Sequence, residues 1–231
     1  MPDGSGAWLR HFFTLLRYDI ATTVPGRMWT FLLLMLIGLL LVGLESASSL
    51  QLLIEAFFFE GLFPLVVGLI SYRLILIDRE RQRLGFLGTR ETLSRTWGHR
   101  LMSLMVVVIP FLGIMWLGWH FMGKDPLPLT SALFTFGAST LALISVGSTA
   151  AFLTRQSSVG DLILVFWWGF CFLSYRAAYN ILGALYLFPL WYNLRTESDI
   201  VVIQTYSPRW TLVLFSVTLL VICFVLLERE K

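Results

Sequence analysis

Residues 62–83 read LFPLVVGLISYRLILIDRERQR. The run is apolar except for Arg73 until Ile77, and charge then begins at once with Asp78, Arg79, Glu80, Arg81 and Arg83. A bilayer selects such a boundary, because about 17–25 apolar residues are needed to cross its hydrocarbon core as a helix. Extended towards the N-terminus, this run becomes a span over 52–77. Others of similar length are expected at 28–44, 101–122, 130–153, 162–179 and 210–227. Charged residues make up 13% of the chain and hydrophobic ones 57%. A soluble domain would carry about 25% charge, and a barrel would show short alternating strands in place of unbroken runs. The expected fold is an all-α integral membrane protein with six transmembrane helices and no separate soluble domain.

The distribution of charge says more than the net value of +3. With both termini on the cytoplasmic side, the inner face would hold Arg10, Arg17, Arg27, Arg73, Arg79, Arg81, Arg83, Arg90, Arg95, Arg100, Arg155, Arg229 and Lys231. The outer side would keep Lys124, Arg195, Arg209 and Arg176. This split follows the positive-inside rule and predicts a multi-pass protein of the cell membrane. The arginines call for anionic lipid headgroups and an acidic protein surface, not for nucleic acid.

Several segments stand apart from plain spans. Residues 1–27 contain an amphipathic stretch with Trp8, Leu9, Phe12, Phe13, Leu15, Leu16 and Ile20 on one helical face, Asp19 the exception among them, and Arg10, His11, Thr14 and Arg17 on the other, broken by Pro25-Gly26. That is the pattern of a helix lying in the membrane interface. No cleavable signal peptide is expected ahead of the first span. The fourth span is rich in Gly, Ala and Ser, which permits close helix approach in lipid, within the chain or between subunits. Residues 180–209 hold an apolar piece, Ile181 to Phe188, closed by Pro189 and too short to cross, so an outer re-entrant segment is expected.

Glu60, Arg73 and Arg176 fall within spans, as does Glu55 unless the second span begins as late as Phe57 and leaves it in the outer interface. Charge at such depth is costly and normally faces a partner or a water-filled cavity. Counted along straight helices, Glu60 lies about 17 residues above Ile77 and Arg176 about 15 above Asp161, or roughly 25 and 22 Å. An ion pair between Glu60 and Arg176 is the expectation, with Arg73 reaching the inner headgroups.

No catalytic constellation is visible. His11, His99 and His120 are scattered, no nucleophile elbow, zinc-protease or Walker A motif occurs, and Cys171 and Cys223 both fall inside apolar runs. The expectation is a chain that is not itself an enzyme and holds no cofactor or metal.

The segment 78–100 then carries the argument. Asp78-Arg79-Glu80 follows the second span. Gly88-Thr89, Ser94-Arg95 and Gly98-His99-Arg100 precede the third. This arrangement resembles permeases of the type-2 ATP-binding-cassette (ABC) exporter family, in which an acidic-basic-acidic triplet follows the second span. There a serine-arginine and a glycine-lysine pair stand before the third. Here His99 or Arg100 takes the lysine's place; the family's loop proline is missing, with Arg90 near its place, and the spacing to Ser94 departs from the family's. The elbow-like segment, six spans, the outer re-entrant segment with a proline and the charged tail extend the likeness over the whole chain.

The resemblance implies a single permease domain over 1–231: an amphipathic elbow (1–27), a cytoplasmic coupling loop (78–100) and an extracytoplasmic re-entrant region (180–209). It implies soluble ABC ATPase subunits as partners, which would bring ATP and Mg, and a second permease subunit, the same or similar, meeting through the first and fifth spans. Asp78, Arg79, Glu80, Arg83, Thr89, Arg90, Glu91, Ser94 and Arg95 would do the coupling, with Arg10 and Arg17 behind them. The charge pattern alone also fits simple topology signals, and the spans alone also fit a transporter or channel without an ATPase, or a membrane assembly scaffold.

Overall fold

The computed structural model describes residues 57–71, 73, 93–121, 129–188 and 206–229, together with Thr14, Leu33 and Ile37. Among these residues the protein is all helical, with no strand. Helix α1 covers 57–71 and opens with a π-helical turn, Phe57–Leu62. Then follow α2 (Leu93–Phe121), α3 (Leu129–Thr154), α4 (Ser157–Leu173), α5 (Tyr175–Leu182) and α6 (Tyr206–Arg229). A 3-10 turn, Gly183–Leu185, follows α5. Three of these helices are long and apolar enough to cross a membrane, or four if the bent pair α4–α5 counts as one.

The described ends of α3 and α6 fall within four residues of the sequence expectation, because apolar length alone sets them. The third expected span starts earlier than 101. Helix α2 is already helical at Leu93, so the last part of 78–100 is continuous with it, and Pro110 stands mid-helix. The first expected span is represented by Leu33 and Ile37, both helical and exposed, and the elbow by Thr14, also helical and exposed; the remainder of both lies outside the described residues.

Helix α3 is the hub. It packs most extensively on α6, then on α4, and also meets α2 and α1. Of its apolar stretch 67% is buried inside the protein, against 22% for α6. The small residues of its sequence explain this. Ala138, Ser139, Ala142, Ser145, Ser148 and Ala151 are all buried, and their size lets neighbouring backbones come close. One such approach is at Gly68 of α1, where a Cβ would stand 2.9 Å from Cβ of Leu143. Four hydroxyls in these apolar surroundings are satisfied by carbonyls of their own helix: Ser71 on Gly68, Thr140 on Phe136, Ser145 on Ala142 and Ser216 on Leu212.

Two breaks shape the bundle. Between α3 and α4 the chain reverses over Arg155 and Gln156. Arg155 takes a left-handed conformation (φ 57°) and its N–H bonds the Ala151 carbonyl at 3.0 Å, a one-residue cap that ends α3. Between α4 and α5 the axis turns by 110° at Ser174. The expected continuous span 162–179 is therefore broken at Ser174: the helix runs from Ser157 and its straight part stops at Leu173. After α5, Tyr186, Leu187 and Phe188 turn inward and are buried against α3, α4 and α6.

Candidate functional site: a buried ion pair joining four segments

Glu60 lies in the π-helical opening of α1 and Arg209 in the first turn of α6. Both side chains are buried, 0% and 3% exposed, and Arg209 Nη2 stands 3.4 Å from Glu60 Oε1. The same Nη2 donates to the Leu187 carbonyl at 2.9 Å, and Nη1 donates to Ser139 Oγ at 3.3 Å. Ser139 in turn donates its hydroxyl proton to the Leu187 carbonyl at 2.6 Å. One guanidinium thus links α1, α3, α6 and the segment after α5.

Each position has a local cause. Proline is tolerated in the first turn of a helix, where its missing N–H has no intrahelical acceptor to lose. Ser207-Pro208 therefore lets α6 start just before Arg209. A π-helical turn displaces the regular ladder and is frequent where function needs a re-aimed group. Here it places Glu60 inward, while the adjacent Gly61 carbonyl accepts from Trp168 Nε1 at 2.8 Å. Tyr186 donates its hydroxyl to the Cys171 carbonyl at 3.1 Å, one of the last four carbonyls of α4, which a helix end leaves without an intrahelical donor.

An aromatic cluster stands next to the buried pair, joined to it through Gly61 and Leu187. Trp168 stacks on Phe172 with centroids 5.2 Å apart, and Phe188 meets both edge-on at 6.4 and 6.0 Å. Phe57 meets Phe172 edge-on at 5.2 Å. Burial of the pair raises the cost of an unpaired charge to several kcal/mol per ion. The carbonyl and the hydroxyl share the load that the carboxylate alone would carry. What such a cluster can do chemically is hold helices together while closed, and present a bare cation when opened.

The expected partner of Glu60 was Arg176, and the structure corrects this. Arg176 is exposed on α5, its guanidinium carbon 5.8 Å from the centroid of the Tyr175 ring. The bend at Ser174 swings it off the axis along which its depth was counted. Arg209 had been placed on the outer side as a topology marker only. The signal that points to it is Glu60 itself: a buried carboxylate needs a cation, and Arg209 opens an apolar run.

Arg73, at the opposite end of α1, pairs with Asp161 of α4 at 3.5 Å with both side chains partly exposed. Ser94 and Arg95 lie in the first turn of α2. Further along, Trp97 and Arg100 are buried, and Trp97 packs with Phe152 of α3 and with Cys223 and Leu227 of α6. Asp78, Arg79, Glu80, Arg83, Thr89, Arg90 and Glu91, like Arg10 and Arg17, lie outside the described residues. Among the described residues no three His, Cys, Asp or Glu side chains converge as a metal centre would require. No family model, curated protein or solved structure matches the chain, and its residues and their geometry are what a functional reading stands on.

Proposed function

We propose that the chain is the permease subunit of an ABC transporter of the exporter type, coupling ATP hydrolysis on separate soluble subunits to movement of a substrate across the cell membrane. In this reading it has six spans, an amphipathic elbow over 1–27, a re-entrant region over 180–209 on the outer side, and both termini in the cytoplasm. Two copies, or this chain and a similar one, would enclose the path.

The observation that supports it most is the continuity of α2. The helix runs unbroken over 29 residues, about 43 Å, while the hydrocarbon core is about 30 Å thick. Residues 93–100, the last part of the arginine-rich segment, belong to this helix. Trp97 fixes that end to α3 and α6. A push on the loop would thus reach the two helices that carry Ser139 and Arg209. Rigid elements with two packings are the usual means by which one site moves another.

The test reverses charge at the docking surface. Glu at Arg83, Arg90 and Arg95 together is expected to abolish co-purification of a soluble ATPase and the stimulation of its hydrolysis, with membrane insertion intact. Unchanged assembly and unchanged stimulation would remove the loop from this role. Loss of insertion instead would make the arginines topology signals.

A further inference from the structure

Arg209 has more donors than its surroundings use. A guanidinium carries five N–H groups in a fixed fork. Nη2 serves Glu60 and the Leu187 carbonyl, and Nη1 serves Ser139. The Nε–H is as buried as the rest of the side chain and has no acceptor. The contact with Glu60 is end-on to one oxygen at 3.4 Å, where a close charge-assisted bond would be about 2.7–2.9 Å. Of the Nε–Nη2 fork that would grip two oxygens side by side, Nη2 is engaged and the Nε–H is unused.

We propose that Arg209 is a binding site for the headgroup of an amphipathic anion, a carboxylate or a phosphate ester, which seats on the guanidinium when α1 draws Glu60 away. The proposal rests on the permease reading in one respect, that this end of the bundle opens during transport, and it names the substrate class.

Three observations carry it. The geometry of the fork matches planar oxyanions, and the unused Nε–H supplies the second donor of a side-on grip. A buried cation stripped of its counter-charge is strongly disfavoured, so departure of Glu60 requires another anion in its place, which a neutral or cationic ligand cannot supply. The surroundings also suit a hydrocarbon tail. Trp168, Phe172 and Phe188 pack on one another, and Trp168 is bonded to the Gly61 carbonyl next to Glu60. Trp210, Leu214 and Val221 are exposed along α6 from the turn that holds Arg209, an apolar track along the outside of the bundle. An amphipath could lie along this track with its headgroup at Arg209.

The test uses the full chain in nanodiscs of zwitterionic lipid, with radiolabelled dodecanoate as probe and acetate and dodecyltrimethylammonium as comparisons. Glu60→Gln leaves Arg209 without its carboxylate, so dodecanoate should bind at least about tenfold more tightly than to the unsubstituted chain and raise the unfolding temperature. In the double variant E60Q/R209Q, binding should fall to the level of empty nanodiscs. Acetate should compete only at far higher concentration, and the cation should not distinguish the variants. Acetate as potent as dodecanoate would make this a small-anion site and overturn the amphipathic class. Dodecanoate binding that E60Q does not strengthen, or that survives R209Q, would overturn the site and leave the Nε–H to a buried water. If E60Q does not purify as a folded species, Glu60→Asp should give an intermediate gain, and no gain would overturn the proposal equally. None of these readouts involves an ATPase, so failure here and failure of the permease reading are distinguishable.

Discussion

Glu60 and Arg209, 149 residues apart in the chain, meet at 3.4 Å with both side chains closed off from solvent. The arginine is shared with the Leu187 carbonyl and Ser139, so one side chain fastens α1, α3, α6 and the inward-turning segment to each other. Breaking a buried pair on one side leaves an uncompensated charge, whereas replacing both partners with apolar groups removes the desolvation cost as well. Arg209→Met should therefore lower stability by about 3–5 kcal/mol, and E60L/R209M should recover most of that loss. Thermal unfolding in detergent would show it. A double variant as unstable as the single one would mean that the pair is not the main contact.

The Arg73–Asp161 pair is the contrast. It spans 3.5 Å, but the side chains are 60% and 36% exposed. Exposed pairs contribute about 0–1 kcal/mol. Asp161→Asn should leave the unfolding temperature nearly unchanged under conditions where R209M is severely affected. A loss of similar size at both pairs would contradict the burial argument.

Glycine substitutions should rank by the space each finds. A methyl at Gly68 would meet Cβ of Leu143 at 2.9 Å and its backbone carbon at 3.4 Å, neither of which can swing aside. Overpacking of that kind costs about 1–3 kcal/mol. At Gly147 the nearest atom is Cδ1 of Leu164 at 2.8 Å, the movable end of a side chain, so Gly147→Ala should cost less. Gly137 and Gly169 have nothing within 4 Å, and alanine there should be neutral or stabilising by up to about 1 kcal/mol from helix propensity. The order of unfolding temperatures, with G68A lowest, is the check.

Tyr186 ties the inward segment to the end of α4 through the Cys171 carbonyl. Tyr186→Phe removes a bond of about 0.5–1.5 kcal/mol and should let that segment open more often. Cys171 is fully buried in the same cluster, and Cys223 is equally buried in another. Maleimide labelling of Cys171 should accelerate several-fold in Y186F while Cys223 serves as the unaffected reference. Equal acceleration at both thiols would indicate general loosening instead.

The apolar lengths that mark α3 and α6 were legible in the sequence because crossing hydrocarbon imposes a minimum run whatever the packing. The break at Ser174 was not. Leu173-Ser174-Tyr175 contains neither proline nor glycine, and the turn depends on contacts made later in the chain by Tyr186 and Phe188. That single miss accounts for the misplaced partner of Glu60, since the depth of Arg176 was counted along a helix that does not continue. The need for a buried partner was readable from Glu60; which arginine supplies it depends on the tertiary path. The π-helical turn at Phe57–Leu62 likewise has no marker in its own residues.

The most direct measurement is ATP hydrolysis by the complex captured from native membranes through a tag on this chain. The expected result is a soluble ATPase in the complex, hydrolysis above that of the isolated ATPase, and loss of both when Arg83, Arg90 and Arg95 are changed to glutamate. A folded, membrane-inserted chain that brings down no ATPase and supports no hydrolysis would contradict it.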